Sequence, residues 1–212
     1  MPIRIPKVPF SIPGNNKRGW DLISNEFFQK RIFFLFGDMN EESVNNVIGG
    51  IIYFNQENPT RDQLMFINSR GGKLGIGLAL YQTILWSEAD ITTIGLGRAA
   101  GTGCLALAAG NTRLALPSLL VKMREPSHSP MFNKQAIDLL NELALMKAMY
   151  NTYVEAFSEK TGQPIDIIKE DMKNNTLMTA NEAYNYGIID QIVGDVSEIM
   201  KPYYSDKEKG KY

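Results

Sequence analysis

The stretch QLMFINSRGG, residues 63–72, decides the fold class of this chain. Gln63 to Asn68 is a short run of large, mainly apolar residues, which is typical of a buried strand. The run ends at the turn residues Ser69 to Gly72, and a helical pattern follows from about Gly75 to Trp86. A second apolar strand, Ile91 to Ile94, comes next. This order predicts a β-α-β unit with parallel strands and a right-handed crossover.

The same alternation continues on both sides of this unit. Phe33 to Phe36 is a predicted strand, and Glu42 to Asn55 has helical periodicity. Downstream, we interpret Gly95 to Gly103 as a glycine-rich turn that opens another helix. Strand segments are expected again between Arg113 and Met123. The sequence therefore predicts an α/β fold.

One helical pattern is unusually long. It runs from about residue 133 to residue 160 without proline or glycine and ends at the helix-stop pair Thr161 and Gly162. At 1.5 Å per residue, such a helix would be about 40 Å long, more than the core of a small domain can cover. It either kinks back onto its own domain or projects and packs against another subunit. We favour the projecting arrangement.

Composition separates three zones and excludes several classes of function. Residues 1–19 are rich in proline and basic side chains and predict a flexible arm, residues 20–195 form the folded domain, and residues 196–212 form a short charged tail. The formal net charge is −1, from 22 basic and 23 acidic residues, so no general affinity for nucleic acid or anionic membranes is expected. No apolar run is long enough to span a bilayer, and the first residues read as neither a secretory signal nor a transit peptide. The lone Cys104 excludes an internal disulfide, and no metal or cofactor is expected.

Seven segments then stand in a familiar order: MPIRIPKVPF, KRIFFLF, LMFINSRGG, GLALYQTI, GLGRAAGTG, KTGQPIDIIKEDM and LMTANEAYNYGIID. Together they resemble the proteolytic subunit of the Clp protease family, particularly its plastid and cyanobacterial forms, up to about Val193. The resemblance implies a ClpP/crotonase-like wedge of repeated ββα units with a projecting handle helix. It also implies two stacked seven-subunit rings around a closed chamber, with the handles interlocked between the rings.

The chain departs from the family at all three positions of the Ser-His-Asp triad that the resemblance implies. Gly101 replaces the nucleophilic serine, Arg124 replaces the histidine base, and Asn175 replaces the orienting aspartate. Glycine has no oxygen with which to form an acyl-enzyme. A guanidinium stays charged and cannot accept a proton, and a neutral amide cannot stabilise an imidazolium. The resemblance thus predicts a non-catalytic ring component, most similar to the inactive R-type subunits.

The groups that would bind a substrate carbonyl are partly retained. By resemblance, Gly71, Gly72 and Thr102 correspond to the oxyanion-hole residues of the family. Arg70 replaces a proline of the family turn. Arg70 and Arg124 together would make the vacant site positive, unless Arg70 simply points to solvent.

The resemblance also implies partners and a compartment. Leu64, Phe66 and Trp86 align with the apolar clefts where Clp-type AAA+ ATPases dock, although each is equally compatible with an ordinary core position. The expected partners are catalytic paralogues in a mixed double ring, the ATPase, and protein substrates. The expected compartment is the plastid stroma or the cytoplasm of a cyanobacterium.

Other functions remain open from the residues alone. A crotonase-type acyl-CoA enzyme would use Glu125 as its acid/base, and a weakly active peptidase would use another nucleophile such as Ser127. A Cys104/His128 dyad is a further alternative, although Cys104 falls inside a predicted helix. The segment 91–100 imitates a dinucleotide-binding fingerprint, but no carboxylate follows about twenty residues later to bind a ribose.

Overall fold

The computed structural model describes residues 7–11, 18–126, 136–195, 197 and 199–200. The strands are β1 (Lys7–Ser11), β2 (Arg18–Leu22), β3 (Ile32–Met39), β4 (Gln63–Gly72), β5 (Ile91–Ala100), β6 (Thr112–Ala115), β7 (Leu120–Lys122), β8 (Leu177–Thr179) and β9 (Gln191–Ile192). The helices are α1 (Ile23–Gln29), α2 (Glu41–Glu57), α3 (Leu74–Trp86), α4 (Thr102–Ala109), α5 (Ala136–Thr161), α6 (Ile165–Asn174) and α7 (Ala180–Tyr186).

A mostly parallel sheet organises these elements. Strands β3, β4, β5, β6 and β9 are neighbours in that order, and all of these pairs are parallel. Strand β7 pairs in parallel with the end of β5, and β8 pairs with β7 antiparallel. The α/β prediction is confirmed, because helices alternate with parallel strands as β-α-β units require.

Apolar side chains cover both faces of the sheet. The larger cluster contains Met65 and Ile67 of β4 together with side chains from α2, α3, α4 and the second half of α5. A smaller cluster on the other face contains Leu64 and Phe66 of the same strand. Because successive strand residues point to opposite faces, β4 supplies both clusters and is buried at its centre.

Strand β5 is longer than the sequence predicts. Gly95 to Ala100 continues the strand instead of forming a turn, so that part of the interpretation is wrong. The first half of β5 pairs with β6, and Arg98 to Ala100 pairs with Leu120 to Lys122 of β7. A second neighbour therefore keeps the glycine-rich segment extended and delivers Gly101 to the end of the sheet.

Helix α5 has two halves with different surroundings. Its second half is buried against the domain, with Tyr153 and Phe157 almost fully covered. Its first half exposes a series of large apolar side chains: Ile137, Leu139, Leu140, Leu143 and Leu145. The helix is continuous over 26 residues and ends at the predicted stop, so it projects from the domain as expected. Residues 133–135 of the predicted helix lie outside the described residues.

The predicted terminal arm and tail are described only in part. Lys7–Ser11 and Arg18–Leu22 pair antiparallel, from Lys7 opposite Leu22 to Ser11 opposite Arg18. Residues 1–6, 12–17 and 201–212 lie outside the described part of the chain. The division into arm, domain and tail therefore stays a prediction.

Candidate functional site

Three segments of the sheet bring the predicted triad positions together. Gly101 follows β5, and its N–H donates to the carbonyl of Lys122 at 3.0 Å. The antiparallel register of β7 and β8 pairs Lys122 with Leu177, and the N–H of Met123 donates to the carbonyl of Thr176 at 2.9 Å. Arg124 and Asn175 are the chain neighbours of these two hydrogen-bonded residues. We call Gly101, Arg124 and Asn175 the triad-position cluster.

Gly101 occupies a sharp turn between a strand and a helix. Its dihedral angles are φ 53° and ψ −122°, and its carbonyl accepts the first hydrogen bonds of α4, from the N–H groups of Cys104 and Leu105. A side chain is strained in this left-handed region, as it is at the nucleophile elbow of many hydrolases. The turn that would present a nucleophile is therefore formed, but residue 101 carries no side chain.

The side chain of Arg124 covers Gly101. A Cβ added to Gly101 would lie 3.2 Å from Nε and 3.5 Å from Cγ of Arg124. Arg124 is partly buried, and no residue in the described part of the chain forms a hydrogen bond or an ion pair with its guanidinium. The adjacent Glu125 is exposed and interacts with Tyr150, whose pKa is raised by burial and by the charge and hydrogen bond of Glu125.

Asn175 ends α6 in the left-handed conformation and is exposed. Asparagine tolerates this conformation better than most residues, so the identity of residue 175 also suits its backbone. One turn earlier, the carboxylate of Asp171 accepts hydrogen bonds from Tyr186 at 2.7 Å and from Thr176 at 3.1 Å. Sequence reasoning missed this acidic group, because nothing local in the KEDM segment links it to Tyr186.

The predicted oxyanion-hole residues mostly donate their N–H groups to the protein itself. The N–H of Gly71 donates to Oγ of Ser69 at 3.0 Å, and the N–H of Gly72 donates to Oγ1 of Thr102 at 2.8 Å. Gly71 has a φ of 85°, and an added Cβ would lie 2.5 Å from the carbonyl oxygen of Ala100, so only glycine fits there. The N–H of Thr102 itself has no acceptor among the described residues.

Arg70 does not join Arg124. Its guanidinium forms two hydrogen bonds with the carboxylate of Asp38, at 2.9 and 3.1 Å, and both side chains are more than half exposed. Lys73 forms a second exposed pair with Glu41 at 3.0 Å. The positive charge that the sequence suggested at this site therefore comes from Arg124 alone.

The sequence profile of the family described as Clp protease matches residues 15–196. The ATP-dependent Clp protease proteolytic subunit of Chaetosphaeridium globosum is 36% identical over 198 residues, covering 92% of this chain and 98% of that protein. The proteins of the same name from Oltmannsiellopsis viridis and Lotus japonicus are each 34% identical over 194 residues, covering 91% of this chain and 98% of theirs.

This chain belongs to the Clp protease family. The family consists of serine proteases, and these three relatives come from algae and plants. The resemblance inferred from the seven segments is thereby confirmed.

The docking residues predicted from the Clp family differ in exposure. Leu64 is fully buried in the smaller apolar cluster, so in the single chain it lines the interior. Phe66 is 6% exposed and stacks on Phe34, with 5.4 Å between ring centroids. Trp86 is 61% exposed at the end of α3, and Phe34 and Phe36 are exposed as well. Of the three predicted docking residues, Trp86 is therefore the one with an exposed side chain. Sequence reasoning missed Phe34 and Phe36, because the run IFFLF is apolar throughout and does not show which of its side chains face outward.

The remaining candidate groups have other surroundings. Cys104 is completely buried in α4, and burial raises the pKa of its thiol to about 12, so its reactive thiolate is scarce at physiological pH. His128 and Ser127 lie outside the described residues. Within the described part of the chain, no cluster of three metal-ligating side chains occurs and no helix is long and apolar enough to cross a membrane.

Proposed function

We propose that this chain is a non-catalytic subunit of an ATP-dependent Clp serine protease core and completes a heptameric ring with active paralogues. The observation that carries the proposal is the turn at Gly101. This turn has the shape that presents a nucleophile, yet residue 101 has no side chain and the side chain of Arg124 lies in front of it. Without an oxygen at this position, no acyl-enzyme forms there.

The surroundings of Gly101 support the same function. Arg124 cannot accept a proton, and Asn175 carries no charge with which to orient a base. The N–H of Gly72 is occupied by the hydroxyl of Thr102, so a developing oxyanion would find fewer donors than the family pattern implies. Each change lowers the rate of acyl transfer, and the three changes together would leave a rate far below that of a working protease.

The surface supports a role in assembly. The exposed apolar half of α5 suits packing against the corresponding helix of the opposite ring, because a soluble protein rarely leaves such a stripe uncovered. The exposed side chain of Trp86 suits docking of a Clp-type AAA+ ATPase, and Phe34 and Phe36 are further exposed aromatic residues. Relatives from algae and plants favour the plastid stroma, with a cyanobacterial cytoplasm as the alternative compartment.

Two rival functions make different predictions for the same site. A crotonase-type acyl-CoA enzyme needs an acid/base, but Glu125 is engaged with Tyr150. A cryptic peptidase needs a nucleophile outside the triad-position cluster, such as Ser127. Neither rival has an observation of its own in its favour.

The test is covalent labelling with a fluorophosphonate probe, read by intact mass. It is applied to the purified chain and to the native complex that contains it, with the catalytic paralogues of the complex as internal positive controls. We expect the paralogues to gain one probe each and this chain to gain none. Labelling of this chain at a single serine would overturn the proposal, and labelling in the complex alone would identify a nucleophile activated by assembly.

A further inference from the structure

Arg124 carries a charge that the described part of the protein does not neutralise. Its guanidinium is partly buried and has no hydrogen-bonded or ion-paired partner among the described residues. A buried or half-buried charge is costly unless it is paired, so a cation kept in this position favours an anionic ligand.

The acidic side chains that follow Arg124 or lie near Asn175 in the chain have hydroxyl groups, not Arg124, as their partners. Glu125 interacts with Tyr150, and the carboxylate of Asp171 accepts hydrogen bonds from Tyr186 and Thr176. Residue 175, at the end of α6, is a neutral asparagine. The other arginine close in sequence, Arg70, is already paired with Asp38. Within the described residues, the guanidinium of Arg124 therefore has no carboxylate as an ion-pair partner.

The donors at the site match a carboxylate. A guanidinium presents a planar fork of N–H groups that binds the two oxygens of a carboxylate side by side. The three heavy atoms nearest to the missing Cβ position of Gly101, apart from its chain neighbours, all belong to Arg124. The N–H of Thr102, next to Gly101, supplies a further donor that is unused within the described residues.

We propose that Arg124 forms a binding site for the C-terminal carboxylate of a peptide in the chamber of the ring. The choice of ligand rests on the proposed function, because a closed proteolytic chamber fills with peptides that end in free carboxylates. The triad-position cluster of this subunit is then a product-binding site. It binds cleaved peptides at the position that catalytic subunits use for cleavage.

The experiment measures peptide binding to the purified full-length chain and to the native complex after its active serines have been blocked with fluorophosphonate. Fluorescence anisotropy compares three peptides that share one sequence: a free acid without acidic side chains, its C-terminal amide, and the amide with one internal aspartate. The variants are Arg124→Gln and Arg124→Lys. Arg70→Gln is the matched control, because Arg70 is an arginine of the same region that is already paired.

We expect the free acid to bind about three- to tenfold more tightly than the amide, as one charge-assisted pair would give. Arg124→Gln should bring the ratio close to one, Arg124→Lys should retain part of it, and Arg70→Gln should leave it unchanged. Equal binding of acid and amide to the unmodified chain would overturn the proposal, and so would a preference that survives Arg124→Gln. Equal binding of the free acid and the aspartate-containing amide would also overturn the assignment to the peptide terminus.

Failure of this inference is distinguishable from failure of the proposed function. The labelling assay on the same preparation reports whether this chain has a nucleophile, independently of any carboxylate preference. If Arg124→Gln does not fold, the comparison of acid with amide on the unmodified chain still decides the proposal.

Discussion

Arg124 lies across the face of Gly101, with its Nε 3.2 Å from the position of the missing Cβ. This separation is tighter than an ordinary van der Waals contact, so any side chain at residue 101 would press on the arginine. The glycine and the arginine are thus matched to each other: Arg124 adopts this position because residue 101 is glycine. The turn at residue 101 also has a φ of 53°, which strains every residue except glycine.

Restoring the serine alone should therefore fail as a rescue. We expect Gly101→Ser to show no peptidase activity, because Arg124 cannot act as its base, and to lose about 1–3 kcal/mol of stability from backbone strain and the close contact. Fluorophosphonate labelling and chemical denaturation measure the two effects. Gly101→Ala is the matched control, since it adds the Cβ without the hydroxyl.

The contact component can be separated from the backbone strain. In an Arg124→Ala background, Gly101→Ala should cost less than in the unmodified chain, because the arginine no longer meets the new Cβ. Equal costs in both backgrounds would mean that the arginine moves aside freely. Strong activity of Gly101→Ser would show that another residue serves as the base.

Thr102 should limit even a chain whose triad has been rebuilt. We expect the combination of Gly101→Ser, Arg124→His and Asn175→Asp to be slow, because Oγ1 of Thr102 accepts the N–H of Gly72. Adding Thr102→Val removes this acceptor at nearly constant volume and should raise kcat about tenfold or more, as the gain of one oxyanion donor would. Peptide hydrolysis kinetics of the two multiple variants measure the effect.

The control for this comparison is Thr102→Val alone, which should stay inactive and folded. If kcat is the same with and without Thr102→Val, the Gly72 N–H does not contribute to oxyanion binding. A fall in kcat would mean instead that the hydroxyl itself stabilises the active arrangement.

The sequence and the resemblance anticipated the scaffold of this site better than its hydrogen bonds. Apolar runs bounded by glycine turns predicted the strands that deliver Gly101, because that pattern depends on neighbouring residues alone. The extension of β5 to Ala100 was missed, since its glycines resemble a turn until β7 pairs with them. The pair Arg70 and Asp38 joins residues 32 positions apart, a distance over which no local pattern carries information.

The docking prediction shows the same limit. Alternation along β4 assigns Leu64 and Phe66 to one face of the sheet, but it does not say what covers that face. The structure buries Leu64 completely within the smaller apolar cluster and leaves Trp86 exposed. Burial depends on the packing of distant elements, so it had to be observed.

Asp190 should make stability depend on pH. Its carboxylate accepts hydrogen bonds from the backbone N–H of Arg113 at 2.8 Å and from Nε of Arg113 at 3.0 Å. Burial raises the pKa of Asp190, but these hydrogen bonds and the charge of Arg113 outweigh burial and leave the pKa below its usual value. The resulting stability is complete above the ordinary aspartate pKa, about 3.9, and is lost as the pH falls through the lower folded-state pKa.

Asp190→Asn should accordingly lower the free energy of unfolding by about 1 kcal/mol at pH 7, a value reduced by the partial exposure of the pair. The difference from the unmodified chain should begin to shrink below about pH 4, the ordinary aspartate pKa, and vanish as the pH falls through the lower folded-state pKa, where the native carboxylate is protonated too. Urea denaturation between pH 3 and pH 7 measures the loss of unfolding free energy and its dependence on pH.

Asp38→Asn is the control, because both side chains of the Asp38–Arg70 pair are exposed and removing the pair should change the unfolding free energy little. A loss that stays constant down to pH 3 would contradict the assigned role of the charge.

Trp86 should anchor the ATPase partner of the assembled rings. Its side chain is 61% exposed at the end of α3, and large exposed aromatics are typical anchors of protein interfaces. We expect Trp86→Ala to weaken binding of the ATPase by about fivefold or more while the rings remain intact. Sedimentation checks that the rings are intact, and pull-down with the ATPase or interferometry measures its binding to them.

Tyr53→Ala is the matched control, because Tyr53 is 57% exposed but is not one of the predicted cleft residues. Unchanged binding by intact Trp86→Ala rings would show that the partner docks elsewhere, and an equal loss with Tyr53→Ala would show that the effect is not specific to the cleft.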